Sequence, residues 1–237
     1  MEISPLGDCA MILRVRDNFT HAPGEALDEV LGHLEILRRA EVPGITELVP
    51  SYTTIAVFYH PRTVVAATGT DPAHVFDWLA AALQTVIANG VVRVKRQESS
   101  PIEIPVCYDP IFAVDLDEIS HHARLPSAQV IERHAAAEYR VHCVGFTPGF
   151  PYLSGLPPEL ATPRRRVPRK EIPAGSVAIG GSQGGIYPMA SPGGWNIIGR
   201  TPLRLFSLRK NPPALLCAGD RVRFRRIGRP EFDALLR

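Results

Sequence analysis

The sequence predicts an α+β protein in two parts, and three observations carry this prediction. Helix-like and strand-like segments alternate over residues 1–97. From Val141 onward no long helical period recurs, and prolines and glycines divide the chain into short β-type runs. The stretch ESSP at 98–101 marks the change. We therefore expect an N-terminal α/β sandwich domain at 1–97 and a β-rich domain at 98–237, with a short helical insert at about 115–139.

The N-terminal elements follow from periodicity and from end signals. Apolar residues at 9–15 predict a strand, and leucines at helical spacing predict a helix over 24–40. The β-branched and aromatic run at 45–61 predicts one bent strand or a hairpin. Asp71 before a proline starts a second helix, which runs to about Ala88, and 91–97 is again a strand. This order is typical of a small ferredoxin-like α/β sandwich.

The second part begins with two short helices and continues as β structure. Asp115, with Glu118 three residues later, has the form of a capping box, and SAQVIERHAAAEY at 127–139 predicts a further helix. The later runs SVAIGG, WNIIGRTP, LRLFSL and AGDRVRF read as short strands, the last as a turn that feeds a closing strand. A compact barrel or sandwich is the expected outcome.

Composition excludes several classes of function. The formal net charge of +2 provides no global field for nucleic acid or a membrane surface. No stretch approaches the ~18 apolar residues of a membrane helix, and the N-terminus does not resemble a signal peptide, so we expect a cytoplasmic protein. The four cysteines lie far apart in sequence, which favours reduced thiols over a zinc site or a disulfide framework: Cys9, Cys107, Cys143 and Cys217.

An aromatic loop is the first candidate site. In HCVGFTPGFPYLSG at 142–155, prolines and glycines fix the backbone around Phe146, Phe150 and Tyr152. These rings form either the wall of a ligand pocket or a hydrophobic plug under a barrel end. His142 is a candidate general base, whereas Cys143, its neighbour on a strand, points to the other face.

A basic segment and a glycine-rich segment complete the candidates. TPRRRVPRKEIPAG at 162–175 is either an anion clamp or a solvated basic loop. GGSQGG at 180–185 formally fits a nucleophile elbow, but the glycines and prolines that follow exclude the required helix. A loop that offers backbone N–H groups to an anion is the better interpretation, with side-chain contacts from Gln183, Tyr187, Trp195 and Arg200.

Long motifs give the chain a family resemblance over nearly its whole length. GFTPGFPYLSGLP, PRRRVPRKEIPAGSVAIGG, GIYPMASPGGWNIIGRTP and GDRVRF, in this order, closely resemble the allophanate hydrolase subunit 1 family, also called the 5-oxoprolinase B-subunit family or KipI-like. The resemblance implies an α/β N-terminal domain and a cyclophilin-like C-terminal β-barrel. It also implies a partner, known as subunit 2 or as the C-type subunit, and a third, lactam-opening subunit.

The function implied by this resemblance is that of a hydrolase subunit. With its partners it forms a composite site that uses ATP with Mg to open 5-oxoproline to glutamate, and it is inactive alone, with no firmly bound cofactor and no metal of its own. The alternatives are an allophanate- or urea-handling, carboxyltransferase-like subunit and a KipI-like inhibitor that binds a sensor kinase.

Chemistry and motif together assign roles to eleven residues. Arg200, Gln183 and His142 are the predicted catalytic residues. The predicted substrate-binding residues are Phe150, Tyr152, Arg164, Arg166, Gly181, Gly184, Tyr187 and Trp195. The chain has Gln183-Gly184-Gly185 where the family usually has Gln-Thr-Gly, so a hydroxyl is absent at 184.

Overall fold

The computed structural model describes residues 1–18, 23–91 and 100–236, which form two compact units, Met1–Gln97 and Glu98–Arg237. The strand predicted at 91–97 lies outside the described residues, apart from Val91. None of the helices within these ranges is long and apolar enough to cross a membrane.

The first unit is an antiparallel sheet with helices packed on it. Its elements are β1 (Glu2–Pro5), β2 (Ala10–Arg14), α1 (Pro23–Ala40), β3 (Ile45–Ser51), β4 (Thr54–Tyr59), α2 (Pro61–Thr68) and α3 (Val75–Asn89). The strand order is β1-β2-β4-β3. The core joins the inward residues of β2 and β4 to the apolar faces of the helices, among them Leu13, Leu34, Val57 and Leu79.

Several predictions for this unit are confirmed. The helix over 24–40 is α1, and 45–61 folds as the hairpin β3–β4. Asp71 accepts a hydrogen bond from the Ala73 N–H at 2.8 Å and caps a 3-10 turn that leads into α3. Helix α2 was not predicted, although Pro61 at its start and Gly69 at its end (φ 72°) are typical end residues. The ferredoxin-like assignment stays a prediction, because its last strand falls on undescribed residues.

The second unit contains a closed β-barrel, as predicted. Its elements are β5 (Ile102–Cys107), α4 (Leu116–Ala123), α5 (Ser127–Ala136), β6 (Glu138–Val144), β7 (Pro151–Ser154), β8 (Arg169–Ile172), β9 (Ser176–Gly180), β10 (Gln183–Ile186), β11 (Ser191–Gly193), β12 (Asn196–Arg200), β13 (Arg221–Ile227) and α6 (Arg229–Leu235). The barrel order is β10-β7-β6-β13-β5-β12-β9, and β8 pairs with β11 in a separate small sheet. The cyclophilin-like assignment of this barrel stays a prediction.

The predicted insert forms as α4 and α5. The helix predicted over 127–139 is shorter than expected, since α5 ends at Ala136 and β6 begins at Glu138. The run at 203–208 does not form a strand, and only an isolated bridge joins Phe206 to Ala214. Helix α6 was not predicted.

The barrel strands have two buried faces. Residues such as Val177, Ile179, Ile186 and Ile198 point inward and form the barrel core. On the outer face, Phe150, Tyr187 and Trp195 form a second cluster with Ala178 of β9 and Ile172 of β8. Because side chains alternate along a strand, Ala178 faces outward between Val177 and Ile179, and the three aromatic residues lie one position beyond the ends of β7, β10 and β12. This outer cluster contains the aromatic residues of the candidate site.

No disulfide joins the four cysteines, all of which lie within the described ranges. Cys107 and Cys143 are buried, whereas Cys9 and Cys217 are exposed.

Candidate functional site

The aromatic residues predicted as pocket walls lie together on the outer face of the barrel. The Phe150 ring centroid is 4.9 Å from that of Tyr152, 5.2 Å from that of Tyr187 and 5.5 Å from that of Trp195. Phe150, Tyr187 and Trp195 are buried, and Tyr152 is half-buried. We call these four residues the aromatic face. Its rings pack against one another, so its inner part has the character of a hydrophobic plug, and Tyr152 is the least buried of the four.

Glycines make this packing possible. A Cβ added to Gly185 would lie 2.8 Å from Phe150 Cζ and 2.9 Å from Trp195 Cζ3, and one added to Gly180 would overlap the Trp195 indole. A Cβ added to Gly193 would likewise collide with the Tyr187 hydroxyl. The glycine-rich sequence is therefore required by the approach of large rings to the backbone.

Alternation along β10 separates Gln183 from Gly184. Ile186 lies in the barrel core, and a Cβ on Gly184 would point inward to Leu153 Cβ and Tyr139 Cε1, both at 3.6 Å. Gln183 and Gly185 therefore share the outer face, where Gly185 meets Phe150. Gly184, predicted to bind substrate, faces the barrel interior, so a threonine hydroxyl there would also point away from the aromatic face.

The predicted role of Gly181 as a backbone donor does not fit the hydrogen bonding. The segment 180–185 is the tip of the β9–β10 hairpin, and the Gly181 N–H donates to Thr162 O at 2.8 Å. Gly184 and Gly185 lie opposite residues of both neighbouring strands, β7 and β9. These backbone groups complete a sheet and do not form an anion-binding loop.

Arg164 brings positive charge to the aromatic face. Its guanidinium carbon lies 5.4 Å from the centroid of the Trp195 ring, in cation–π geometry. Burial and the nearby Cys143 raise the pKa of the Tyr152 hydroxyl, and the charge of Arg164 opposes this rise. Burial also raises the pKa of Tyr187, against a hydrogen bond from the Trp195 backbone and the charge of Arg164. Both hydroxyls are therefore protonated at neutral pH and able to donate.

The other arginines of the basic segment have a different role. Asp115, 4% exposed, accepts hydrogen bonds from Arg165 Nη1 at 2.9 Å and from Arg169 Nη1 and Nη2 at 2.8 and 2.7 Å. The prediction of a capping box at Asp115 is wrong, since the Asp115 side chain makes no capping hydrogen bond to α4. Arg166, predicted as a clamp, is exposed.

Arg200 lies away from the aromatic face. Its Nε donates to Ala174 O at 2.8 Å, and its guanidinium carbon is 5.7 Å from the centroid of the Phe112 ring. Trp195 precedes it by five positions, which corresponds to about 16 Å along an extended chain. The structure thus does not bring Arg200 together with Gln183, and its predicted catalytic role stays a prediction.

His142 is poorly placed to reach a substrate. It is 1% exposed and lies in β6 where the register with β7 shifts between Val141 and Cys143. Burial, with a contribution from Arg140, lowers the pKa of its imidazole to about 4. At neutral pH the ring is neutral and enclosed, which disfavours the predicted role as general base.

Two residues at the site were not predicted from the sequence to belong to it. Cys143 lies opposite Tyr152 in the β6–β7 pairing and so faces the aromatic face. Asp115 neutralises part of the basic segment from 50 residues away. Alternation from Val141 in the barrel core would turn Cys143 inward, and the register shift between Val141 and Cys143 turns it outward. No local pattern signals this shift or the partners of Asp115.

Phe146 stands at the rim of this site. It is 66% exposed, has φ 68°, and its ring meets Phe150 edge-on at 5.8 Å. In the described ranges, no group of three or more His, Cys, Asp or Glu side chains is arranged to hold a metal ion.

Comparison with known proteins gives matches over almost the entire chain. The family model for the carboxyltransferase domain, subdomain C and D, matches residues 1–216. The B subunit of 5-oxoprolinase from Bacillus subtilis (strain 168) is 36% identical over 233 residues, which cover 98% of this chain and 95% of that protein.

Solved structures agree with this result. The TTHA0988 crystal structure superposes with a TM-score of 0.73 at 34% identity over 92% of this chain, and the chain spans 40% of that longer one. Kluyveromyces lactis urea carboxylase matches 98% of this chain and 22% of its own length with a TM-score of 0.71. Its 18% identity makes this a likeness of fold alone.

Proposed function

Because the chain belongs to the carboxyltransferase-domain family, subdomains C and D, we propose that it is one subunit of an ATP-dependent 5-oxoprolinase. This enzyme hydrolyses the lactam of 5-oxoproline to glutamate, and the chain supplies one part of a composite site. The names of its relatives support this proposal. The observation that carries it is Arg164 lying over Trp195, beside Tyr152 and Tyr187 and on the face that Gln183 shares.

The chemistry of the aromatic face suits this substrate. 5-Oxoproline has one carboxylate and a small, flat ring. The Arg164 guanidinium and a tyrosine hydroxyl are donors that bind a carboxylate strongly, and Arg166, two positions on, is the second proposed cation. The substrate ring packs on the accessible edge of the aromatic rings. The Gln183 amide donates to the carbonyl oxygen on which negative charge develops as water attacks.

The exposure of Arg164 supports a composite site. Its side chain lies at the protein surface, whereas electrostatic stabilisation of a developing charge needs a site from which water is excluded. A homologue of subunit 2, the C-type subunit, would provide this exclusion by covering the aromatic face. We therefore propose that the chain is inactive alone and that a third, lactam-opening subunit completes the enzyme in the cytoplasm.

ATP is assigned to the assembled enzyme. The glycine-rich hairpin does not fit a phosphate-binding loop, because its Gly181 amide already donates to Thr162 O. We therefore assign ATP with Mg to the partner subunits and not to this hairpin.

The proposal is tested by co-expressing the chain with its candidate partner subunits and measuring ATP-dependent release of glutamate from 5-oxoproline. Loss of a charged hydrogen bond predicts a fall of about 10- to 100-fold in kcat/KM for Arg164→Ala. Arg209→Ala, at an exposed arginine outside the site, is the matched control and should keep full activity.

Undiminished activity of the Arg164→Ala complex would refute the site. Turnover by this chain without partners would refute the composite arrangement. Hydrolysis of allophanate in place of 5-oxoproline would favour the allophanate-handling alternative, and inhibition of a sensor kinase by the chain would favour the KipI-like one.

A further inference from the structure

We propose that Asp115 is a positioning residue that fixes Arg164 over Trp195. It does so through the strap, which we define as residues 163–169. This inference rests on the proposed function only where activity is measured, since the geometry of the strap can be tested without it.

The Asp115 carboxylate ties the strap to the barrel. It accepts from Arg165 and Arg169 on the strap, and its Oδ2 also accepts from the Ile197 N–H of β12 at 2.7 Å. The Asp115 N–H in turn donates to Ile197 O at 3.0 Å. One buried side chain thus joins two residues of the strap, Arg165 and Arg169, to the strand that follows Trp195.

The strap then runs beside Trp195 with Arg164 opposite the ring. Asn196 Nδ2 donates to Pro163 O at 2.8 Å, and the Arg165 N–H donates to Gly194 O at 2.7 Å. The residues before and after Arg164 are therefore bonded to the residues that flank Trp195. Asp115 holds the Arg165 side chain on one side, and Arg164 is directed to the other, onto the indole.

The charge balance explains why a carboxylate occupies position 115. Arg165 and Arg169 are only 36% and 27% exposed in their side chains, and unpaired guanidinium groups there would repel each other and Arg164. Asp115 offsets one of their two positive charges at close range. Arg164 is then left as the cation that faces the aromatic face.

The test uses the fluorescence of Trp195. The chain has two tryptophans, so a Trp78→Phe background leaves Trp195 as the reporter. Quenching by acrylamide then measures how well the strap and Arg164 cover the indole. Asp115→Asn should raise the quenching constant at least about twofold while far-UV circular dichroism stays unchanged. Glu159→Gln, which breaks the exposed Arg133–Glu159 ion pair at 2.6 Å, is the matched control and should not change quenching.

Arg165→Gln is a milder variant that keeps the two bonds of Arg169 to Asp115. It should also raise the quenching constant, and it still tests the proposal if Asp115→Asn does not fold. Unchanged quenching in both Arg165→Gln and a folded Asp115→Asn would overturn the proposal.

A double-mutant cycle in the assembled enzyme separates positioning from general stability. If Asp115 acts through Arg164, Asp115→Asn should raise KM for 5-oxoproline about tenfold in the wild-type background, but less than about twofold beside Arg164→Ala. Equal effects in both backgrounds would overturn the inference. A full effect of Arg164→Ala with none from Asp115→Asn would overturn it while leaving the proposed function intact. No effect of Arg164→Ala would overturn the proposed function, and the quenching result would then decide the inference alone.

Discussion

Two adjacent glycines of β10 should respond in opposite ways to the same substitution. In Gly185→Ala the new Cβ would lie 2.8 and 3.0 Å from Phe150 Cζ and Cε1 and 2.9 Å from Trp195 Cζ3. In Gly184→Ala the nearest atoms are Leu153 Cβ and Tyr139 Cε1, both at 3.6 Å, which is ordinary van der Waals contact. Gly184 is therefore the internal control for Gly185.

The size of the effect can be estimated from these distances. The three ring contacts of Gly185→Ala force the rings or the strand to shift, and overpacking of this kind costs about 1–3 kcal/mol. Gly184→Ala restricts the unfolded chain without a clash and should stabilise by about 0.4–1 kcal/mol. At about 3 °C per kcal/mol for a domain of this size, the Tm values of the two variants should differ by about 4–12 °C.

Thermal unfolding in a Trp78→Phe background, followed by Trp195 fluorescence, reports this difference for the second unit. Gly185→Ala should also change the near-UV circular dichroism, because the rings around Phe150 must move. Equal Tm values for the two variants, or a more stable Gly185→Ala, would refute the assignment of the two faces of β10.

Three further predictions concern stability in both units. Burial lowers the pKa of His134 from 6.5 to about 3 and of His142 to about 4. The unfolded chain therefore binds more protons than the folded chain below pH 6.5. Each histidine should lower the free energy of unfolding by about 2 kcal/mol between pH 7 and pH 5. A free energy of unfolding, measured with urea, that does not fall over this range would contradict the prediction. Asp71→Ala removes the cap on the Ala73 N–H and should cost about 1 kcal/mol, with Gln84→Ala as a control at an exposed position inside α3. Phe224→Ala, at a 2% exposed position stacked on His134 at 4.7 Å, should cost about 3–5 kcal/mol in chemical denaturation, and a loss below about 1 kcal/mol would show that the barrel core repacks freely.

Local patterns were sufficient for most elements of secondary structure. The leucine spacing of 24–40 predicted α1, and the runs SVAIGG, WNIIGRTP and AGDRVRF predicted the barrel strands β9, β12 and β13. Elements with weak or short patterns were not predicted, among them β1 at four residues and α6 at seven. Such elements are stabilised by tertiary packing and strand pairing more than by local propensity.

Short-range patterns in the chain predicted a two-part organisation and identified the aromatic, basic and glycine-rich segments. Which arginine faces the rings and which are neutralised became clear only in the folded molecule, since Arg164 and Arg165 are identical neighbours in the sequence. Their difference arises from Asp115, which lies 50 positions before Arg165, and from Trp195, which lies between β11 and β12. Periodicity and propensity act between near neighbours, whereas the energy of an ion pair or a ring contact depends on distance in space. That distance is set by the closing of the barrel.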